Sequence, residues 1–212
     1  MITLHTWTTP NGRKISIMLE ELGIPYEVKT VNLGKGEQFD PAFLAISPNN
    51  KIPALVDDDA GPDGTITVFE SGAILTYLAE KTGRFLPASG AARARTFEWL
   101  HWQMSGIGPM LGQVGFFGVN AKEKNQGAIQ RFVTESERLL GVMDRQLEKN
   151  HFLAGDDYSI ADIATYPWVF NTRSFLKDYL GEIVVGKPFV LRWLDEVGQR
   201  PAVQRGMAIP KV

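Results

Sequence analysis

The chain has 212 residues, 44% hydrophobic and 22% charged, with 22 basic against 24 acidic side chains and a formal net charge of −2. That balance argues against bulk nucleic-acid binding and a charged tail, and no apolar run approaches the roughly 18 residues of a membrane span. Cysteine is absent, which rules out disulfides, thiolate metal sites and a cysteine nucleophile; any reactive sulfur has to come from a ligand.

In chain order, Ile2 to Trp7 reads as a strand. Ile15, Met18, Leu19 and Leu22 recur at helical spacing, and Gly23 supplies the stop. Tyr26 to Val31 is a second strand, and Asp40 to Ala45 a helical turn with Pro41 at its first position. Ile52 to Val56 and Ile66 to Phe69 are short strands joined by the polar loop from Asp57 to Gly64, a hairpin. Ser71 to Thr82 is a helix ending at Gly83. The order is β-α-β-α-β-β-α.

Residues Arg84 to Ala91 read as a linker, and beyond them the periodicity is helical throughout. Phe97, Leu100 and Met104 share a face, as do Phe132, Leu139, Leu140, Met143 and Leu147. Gly106, Gly108, Pro109 and Gly112 predict a broken helix with open space beside it. Asp157 to Ile163 forms a capping box, with Ser159 as N-cap, Asp162 at the third helical position and Tyr158 stapling onto Ile163. The expected division is an α/β domain over 1–84 and an all-α domain over 92–212. Met1 to His5 lacks the basic and apolar segments of a signal peptide, so a cytoplasmic location is expected. His5, His101 and His151 lack metal-ligand spacing, and no metal is expected.

Two patterns carry chemistry. In Asn49-Asn50-Lys51-Ile52-Pro53-Ala54-Leu55-Val56 a proline opens a short apolar strand. It cannot donate a ladder hydrogen bond, and a cis peptide is possible there. That would turn the backbone of Ile52 outward, where a small peptide can pair with it as an extra strand. Glu70-Ser71-Gly72-Ala73-Ile74 then opens a helix, with Ser71 expected as its cap above N–H groups suited to a carboxylate. Together they describe a pocket for a short anionic peptide. Thr9 and Asn11, between the first strand and first helix, offer a hydroxyl and an amide NH₂; equally, they can serve only to turn the chain into the helix.

Ile52-Pro53, Glu70-Ser71-Gly72-Ala73-Ile74 and Ser159-Ile160-Ala161-Asp162, each at its usual place, resemble the glutathione transferase superfamily. A narrower set resembles the bacterial Nu-class transferases and the Ure2-like proteins, a group that includes disulfide-bond reductases. It comprises Thr9-Pro10-Asn11-Gly12-Arg13-Lys14, Leu33-Gly34-Lys35-Gly36-Glu37-Gln38-Phe39, Ser47-Pro48-Asn49-Asn50-Lys51-Ile52-Pro53 and Gly108-Pro109-Met110-Leu111-Gly112-Gln113. The resemblance implies a thioredoxin-like N-terminal domain that binds glutathione. It also implies an all-α C-terminal domain with the second-substrate site and dimer contacts, in a cytoplasmic homodimer that binds neither nucleic acid nor membrane. Glutathione is the implied co-substrate, and its thiolate would carry out thiol–disulfide exchange.

By the same resemblance Thr9 and Asn11 are the catalytic donors to the sulfur, and Ile52 pairs through its backbone with the cysteinyl part. Glu70 takes the ammonium and Ser71 the carboxylate of the γ-glutamyl end. Lys51 and Gln38 either reach the glycyl carboxylate or are solvated. Arg131 either approaches glutathione across a subunit boundary or is a surface or interface arginine. Trp102, Phe116, Phe117 and Trp168 wall the second-substrate site or fill the core. The alternatives are a conventional transferase or peroxidase acting on electrophiles or hydroperoxides, and a catalytically silent glutathione-binding regulator.

Overall fold

The computed structural model describes residues 1–212, which fall into two compact units. One comprises Met1–Arg84 with Arg200–Val212, the other Phe85–Gln199. The first runs β1 (Ile2–Thr6), α1 (Pro10–Leu22), β2 (Tyr26–Thr30), α2 (Pro41–Leu44), β3 (Ala54–Asp57), β4 (Ile66–Phe69) and α3 (Ser71–Thr82). Its four-stranded sheet has the order β2-β1-β3-β4, with β1 parallel to β2 and antiparallel to β3, and β3 antiparallel to β4. The element order β-α-β-α-β-β-α and the thioredoxin-like class are as expected. Several element ends move by one residue, and one moves by two. The third strand begins at Ala54, leaving Ile52 and the cis peptide to Pro53 outside the ladder, because Pro53 lacks the N–H a ladder needs. Between β2 and α2 the chain also makes two short 3₁₀ turns, Leu33–Lys35 and Glu37–Phe39.

Apolar residues on α1 and α3 build one core, in which Ile15, Ile17, Met18, Ile74, Leu75 and Leu78 are all fully buried. A second cluster joins Val31, Phe43, Ile52 and Ala54 to Trp7, Leu33 and Ile46. Asp57 locks β3 to α3: its carboxylate accepts from the Tyr77 hydroxyl at 2.7 Å and from Lys81 Nζ at 2.5 Å.

The helical second unit runs α4 (Gly90–Trp102), α5 (Gly108–Val114), α6 (Gln126–Lys149), α7 (Ile160–Phe170), α8 (Lys177–Val185) and α9 (Pro188–Gly198). The helix expected to break at Gly106 to Gly112 does not. α4 passes through a π-turn at Gln103–Ile107 into α5, and a second π-turn follows at Gly115–Asn120. The wide turn displaces the hydrogen-bond register just ahead of Pro109, where a donor would be missing in any case. The glycines do not open space there. A Cβ on Gly108 would lie 3.4 Å from Trp168 Nε1, and one on Gly112 3.3 Å from the Trp168 ring, so this stretch packs around a tryptophan. Phe116 is 54% exposed, whereas Phe117 stacks on Phe132.

The capping box at α7 is present as expected. Asp162 is fully buried and accepts from Leu153 N–H, Ser159 N–H, the Ser159 hydroxyl and Trp193 Nε1–H. Burial still pushes its carboxyl pKa up, against those four donors. Tyr158 meets the rings of Phe85 and Phe152 edge-on.

The segment after residue 199 departs from the grouping of 92–212 as one helical domain. α10 (Pro201–Met207) packs on α1, within the first unit. A Cβ on Gly206 would lie 2.5 Å from Ile17 Cα, so the two backbones meet at a position that admits only glycine. Ser16 Oγ donates to Gly206 O at 2.7 Å, and Arg200 forks onto Glu21 at 2.6 and 2.8 Å. No helix is long and apolar enough to cross a membrane.

Candidate active site

Strand register brings distant segments to one end of the sheet. His5 pairs with Ala54, and Ala54 with Phe69; Thr6 pairs with Thr30 on the other side. Beyond that row, at the same end, lie Trp7 to Asn11, Ile52-Pro53 and Glu70-Ser71. Five residues inferred from sequence thus come to one end of the sheet: Thr9, Asn11, Ile52, Glu70 and Ser71, while Gln38 lies in the 3₁₀ turn Glu37–Phe39 that follows β2. Lys51, beside Ile52, is exposed. Arg131 is exposed on α6 in the other unit and is no part of the set the first unit assembles.

Thr9 is the N-cap of α1, and its Oγ1 accepts from Gly12 N–H at 3.2 Å. The two readings of Thr9 are compatible, because a hydroxyl that accepts a cap bond still carries its own hydrogen. Asn11 stands in the first turn, half-buried. Gly12 fixes this approach: a Cβ there would lie 2.2 Å from Thr6 Oγ1 and 2.5 Å from Trp7 O. The first turn of α1 is therefore pressed against the end of β1.

The Ile52 side chain is buried in the second cluster. Its backbone N–H and C=O join none of the hydrogen bonds that close the neighbouring turns. An extended backbone pairs with such a group as it would with a strand edge.

At α3 the sequence reading needs correction. Ser71 was expected as the N-cap; it is the first helical residue, and Glu70 holds the cap position without a side-chain cap bond. Glu70 has φ 70° and ψ 117°, a conformation rare outside glycine that clusters at functional positions. Its exposed carboxylate accepts from Asn49 Nδ2 at 3.4 Å. Ser71 is pulled inward to 3% exposure, and its Oγ accepts from Lys14 Nζ at 3.2 Å.

Lys14 is the residue that sequence reasoning passed over. It is 1% exposed, and burial lowers its pKa to about 7 against the opposing pull of Glu70. The available signal was its place three residues after Asn11, on the same face of the same helix. Gln38 Oε1 is buried without a hydrogen-bond partner, an acceptor left over in its turn.

Residues 8–81 match the glutathione S-transferase N-terminal domain, and residues 108–201 match the glutathione S-transferase C-terminal domain. The chain belongs to the glutathione transferase family and has its fold, a thioredoxin-like unit and a helical one. Among its relatives, it is 46% identical over 211 residues to disulfide-bond oxidoreductase YfcG of Escherichia coli K12, covering 98% of this chain and 94% of that protein. A glutathione transferase family member from Pseudomonas fluorescens Pf-5, solved with two glutathione bound, superposes with a TM-score of 0.94 at 48% identity, covering 99% of this chain and 93% of that one. A Pseudomonas putida glutathione transferase, solved with one glutathione disulfide bound per subunit, gives 0.91 at 45% identity, over 99% and 91% of the two chains.

Proposed function

We propose that the chain is a glutathione-dependent disulfide-bond reductase. The observation that carries the reading is the convergence of Thr9, Asn11, Ile52, Glu70 and Ser71 at one sheet end in a chain without cysteine. The relative named as a disulfide-bond oxidoreductase supports the reaction, and the structures holding glutathione or its disulfide support the ligand. The residues present fit it. Ile52 offers unused backbone groups to the cysteinyl peptide, Glu70 an acceptor to the ammonium, and Ser71 with the α3 N-terminus donors to the carboxylate. Gln38 and Lys51 stand for the glycyl end. The reading is of a cytoplasmic homodimer of Nu-class type, in which Arg131 either approaches glutathione across the subunit boundary or is a surface or interface arginine.

Thr9 and Asn11 act on the sulfur. A thiol of ordinary pKa near 8.5 is only about 3% thiolate at pH 7. Lowering that pKa to about 6.5 requires roughly 2.7 kcal/mol, and each hydrogen bond to a charged acceptor supplies about 1.5–3 kcal/mol. One hydroxyl and one amide at a helix N-terminus suffice. The thiolate then attacks a disulfide sulfur, the S–S bond breaks, and the departing thiolate takes a proton. A second glutathione thiolate attacks the mixed disulfide and releases oxidised glutathione with the second reduced thiol. Two glutathiones are oxidised for each disulfide reduced.

The test is reduction of bis(2-hydroxyethyl) disulfide by glutathione, run beside conjugation of 1-chloro-2,4-dinitrobenzene. Disulfide turnover with little conjugation is expected. Conjugation alone would make the chain a conventional transferase, and neither activity would make it a silent binder.

A further inference from the structure

We infer that Lys14 is a positioning residue for the carboxylate end of this site: a buried ammonium behind Ser71 that, with Glu70, gives the pocket two opposite charges matched to a zwitterionic α-amino-acid head. The inference rests on reading this end as the γ-glutamyl seat.

Burying a lysine costs free energy, and this one is fully buried against the start of α3. Its Nζ lies 3.2 Å from Ser71 Oγ, at the first residue of α3. That is the positive end of a helix dipole, which favours anions and disfavours cations. Two positive features side by side make sense for an anion that arrives from outside. An ammonium can only donate, so Ser71 Oγ accepts from Lys14 and turns its own hydrogen away from it. The serine hydroxyl is thereby kept a donor, in the same sense as the N–H groups of the first helical turn. Glu70, one residue earlier, is exposed and of opposite sign. An α-amino acid brings an ammonium to Glu70 and a carboxylate to Ser71 and Lys14, so each ligand charge faces its complement.

The charged surroundings of Lys14 support the assignment. From α3 comes Glu70, the charge that acts on it. On α10, Arg200 and Arg205 are paired with Glu21 and Glu20, farther along α1. β1 turns Ile2, Leu4 and Thr6 inward, while His5 packs on Phe43. Arg13 precedes Lys14 on α1 and, like it, carries positive charge. With burial bringing Lys14 to about 7, it is part-protonated in the unliganded protein near neutrality. A bound carboxylate favours the ammonium, so binding takes up a proton.

S-methylglutathione is the probe, because it has no thiol to ionise. Calorimetric titration of the wild-type protein at about pH 7.5, in buffers of different ionisation enthalpy, should show uptake of a substantial fraction of one proton. Affinity should fall about tenfold between roughly pH 6.5 and 8.5. Lys14→Met should bind about tenfold more weakly at the acid end of that range, with no uptake and a flat profile. Binding without uptake in the wild type, with a pH profile that Lys14→Met leaves unchanged, would overturn the inference and leave the glutathione reading standing. Failure of the wild type to bind the probe at all would overturn both.

Discussion

Asp162 in the helical unit and Lys14 in the α/β unit are both fully buried ionisable groups, held in opposite ways. Asp162 accepts from four donors within its own unit, one of them a tryptophan N–H 31 residues away. Those donors all lie within the fold, and burial still pushes the carboxyl pKa up against them. Lys14 donates to the Ser71 hydroxyl at the N-terminus of α3, where the dipole has its own sign. The difference separates two uses of a buried charge. One closes a fold, and the other keeps a position favourable to an anion at some cost to the fold.

The comparison makes graded predictions. Asp162→Ala is the largest. Leu153 N–H and Trp193 Nε1–H would lose their shared acceptor in a dry interior, and urea denaturation should show a loss of about 3–5 kcal/mol. A loss below about 1 kcal/mol would put the closed network in error.

Lys14→Met should move stability the other way. Replacing a buried ion by an apolar side chain of similar length is worth a gain of roughly 1–4 kcal/mol near pH 6. The pH dependence has a definite sign. The folded-state pKa is about 7, below the usual 10.5, so between those values the folded protein binds fewer protons than the unfolded chain. Wild-type stability attributable to this group therefore rises with pH across that window, and Lys14→Met removes the rise. A variant less stable than wild type at pH 6 would make Lys14 a structural residue of the same kind as Asp162.

The smallest effect on folding is expected of Asn11→Ala, at a half-buried position in the first turn of α1. It should raise the pKa of bound glutathione by about one unit and lower turnover about tenfold, equivalent to roughly 1.4 kcal/mol, with little change in melting temperature. Ultraviolet titration of the bound thiolate is the measurement, and an unmoved titration would remove Asn11 from the mechanism.

Much of this was legible locally. The β-α-β-α-β-β-α order, the hairpin, the α7 capping box and the Glu70-Ser71 helix start each write their signal within a few residues, through period, turn chemistry or a cap. What escaped depends on contacts distant in sequence. Lys14 follows Arg13 in a helix, and nothing local in the sequence marks it as buried; the packing of α3 on α1 does. Gly206 looks like a helix-weakening glycine until Ile17, 189 positions earlier, is found against it. The glycines from Gly106 to Gly112 suggest a break, yet Trp168 fills the space they leave, and a π-turn accommodates Pro109. Ser71 begins α3 as predicted but is not its cap, because Glu70 holds that position in a backbone conformation that no composition rule would assign to glutamate.

The seam between α1 and α10 sets a timetable for biosynthesis. α1 is made early, but the strip around Ile17 is covered only when Gly206 arrives, after the entire helical unit has been translated. The half that begins first is completed last, against the usual N-terminal-first order of domain folding on the ribosome. A fragment ending at Arg84 would keep Thr9, Ile52, Glu70 and Ser71 and expose the back of the helix that carries Lys14. This half is therefore poorly suited to serve as an interchangeable cassette: a graft onto another helical unit needs α10 to travel with it.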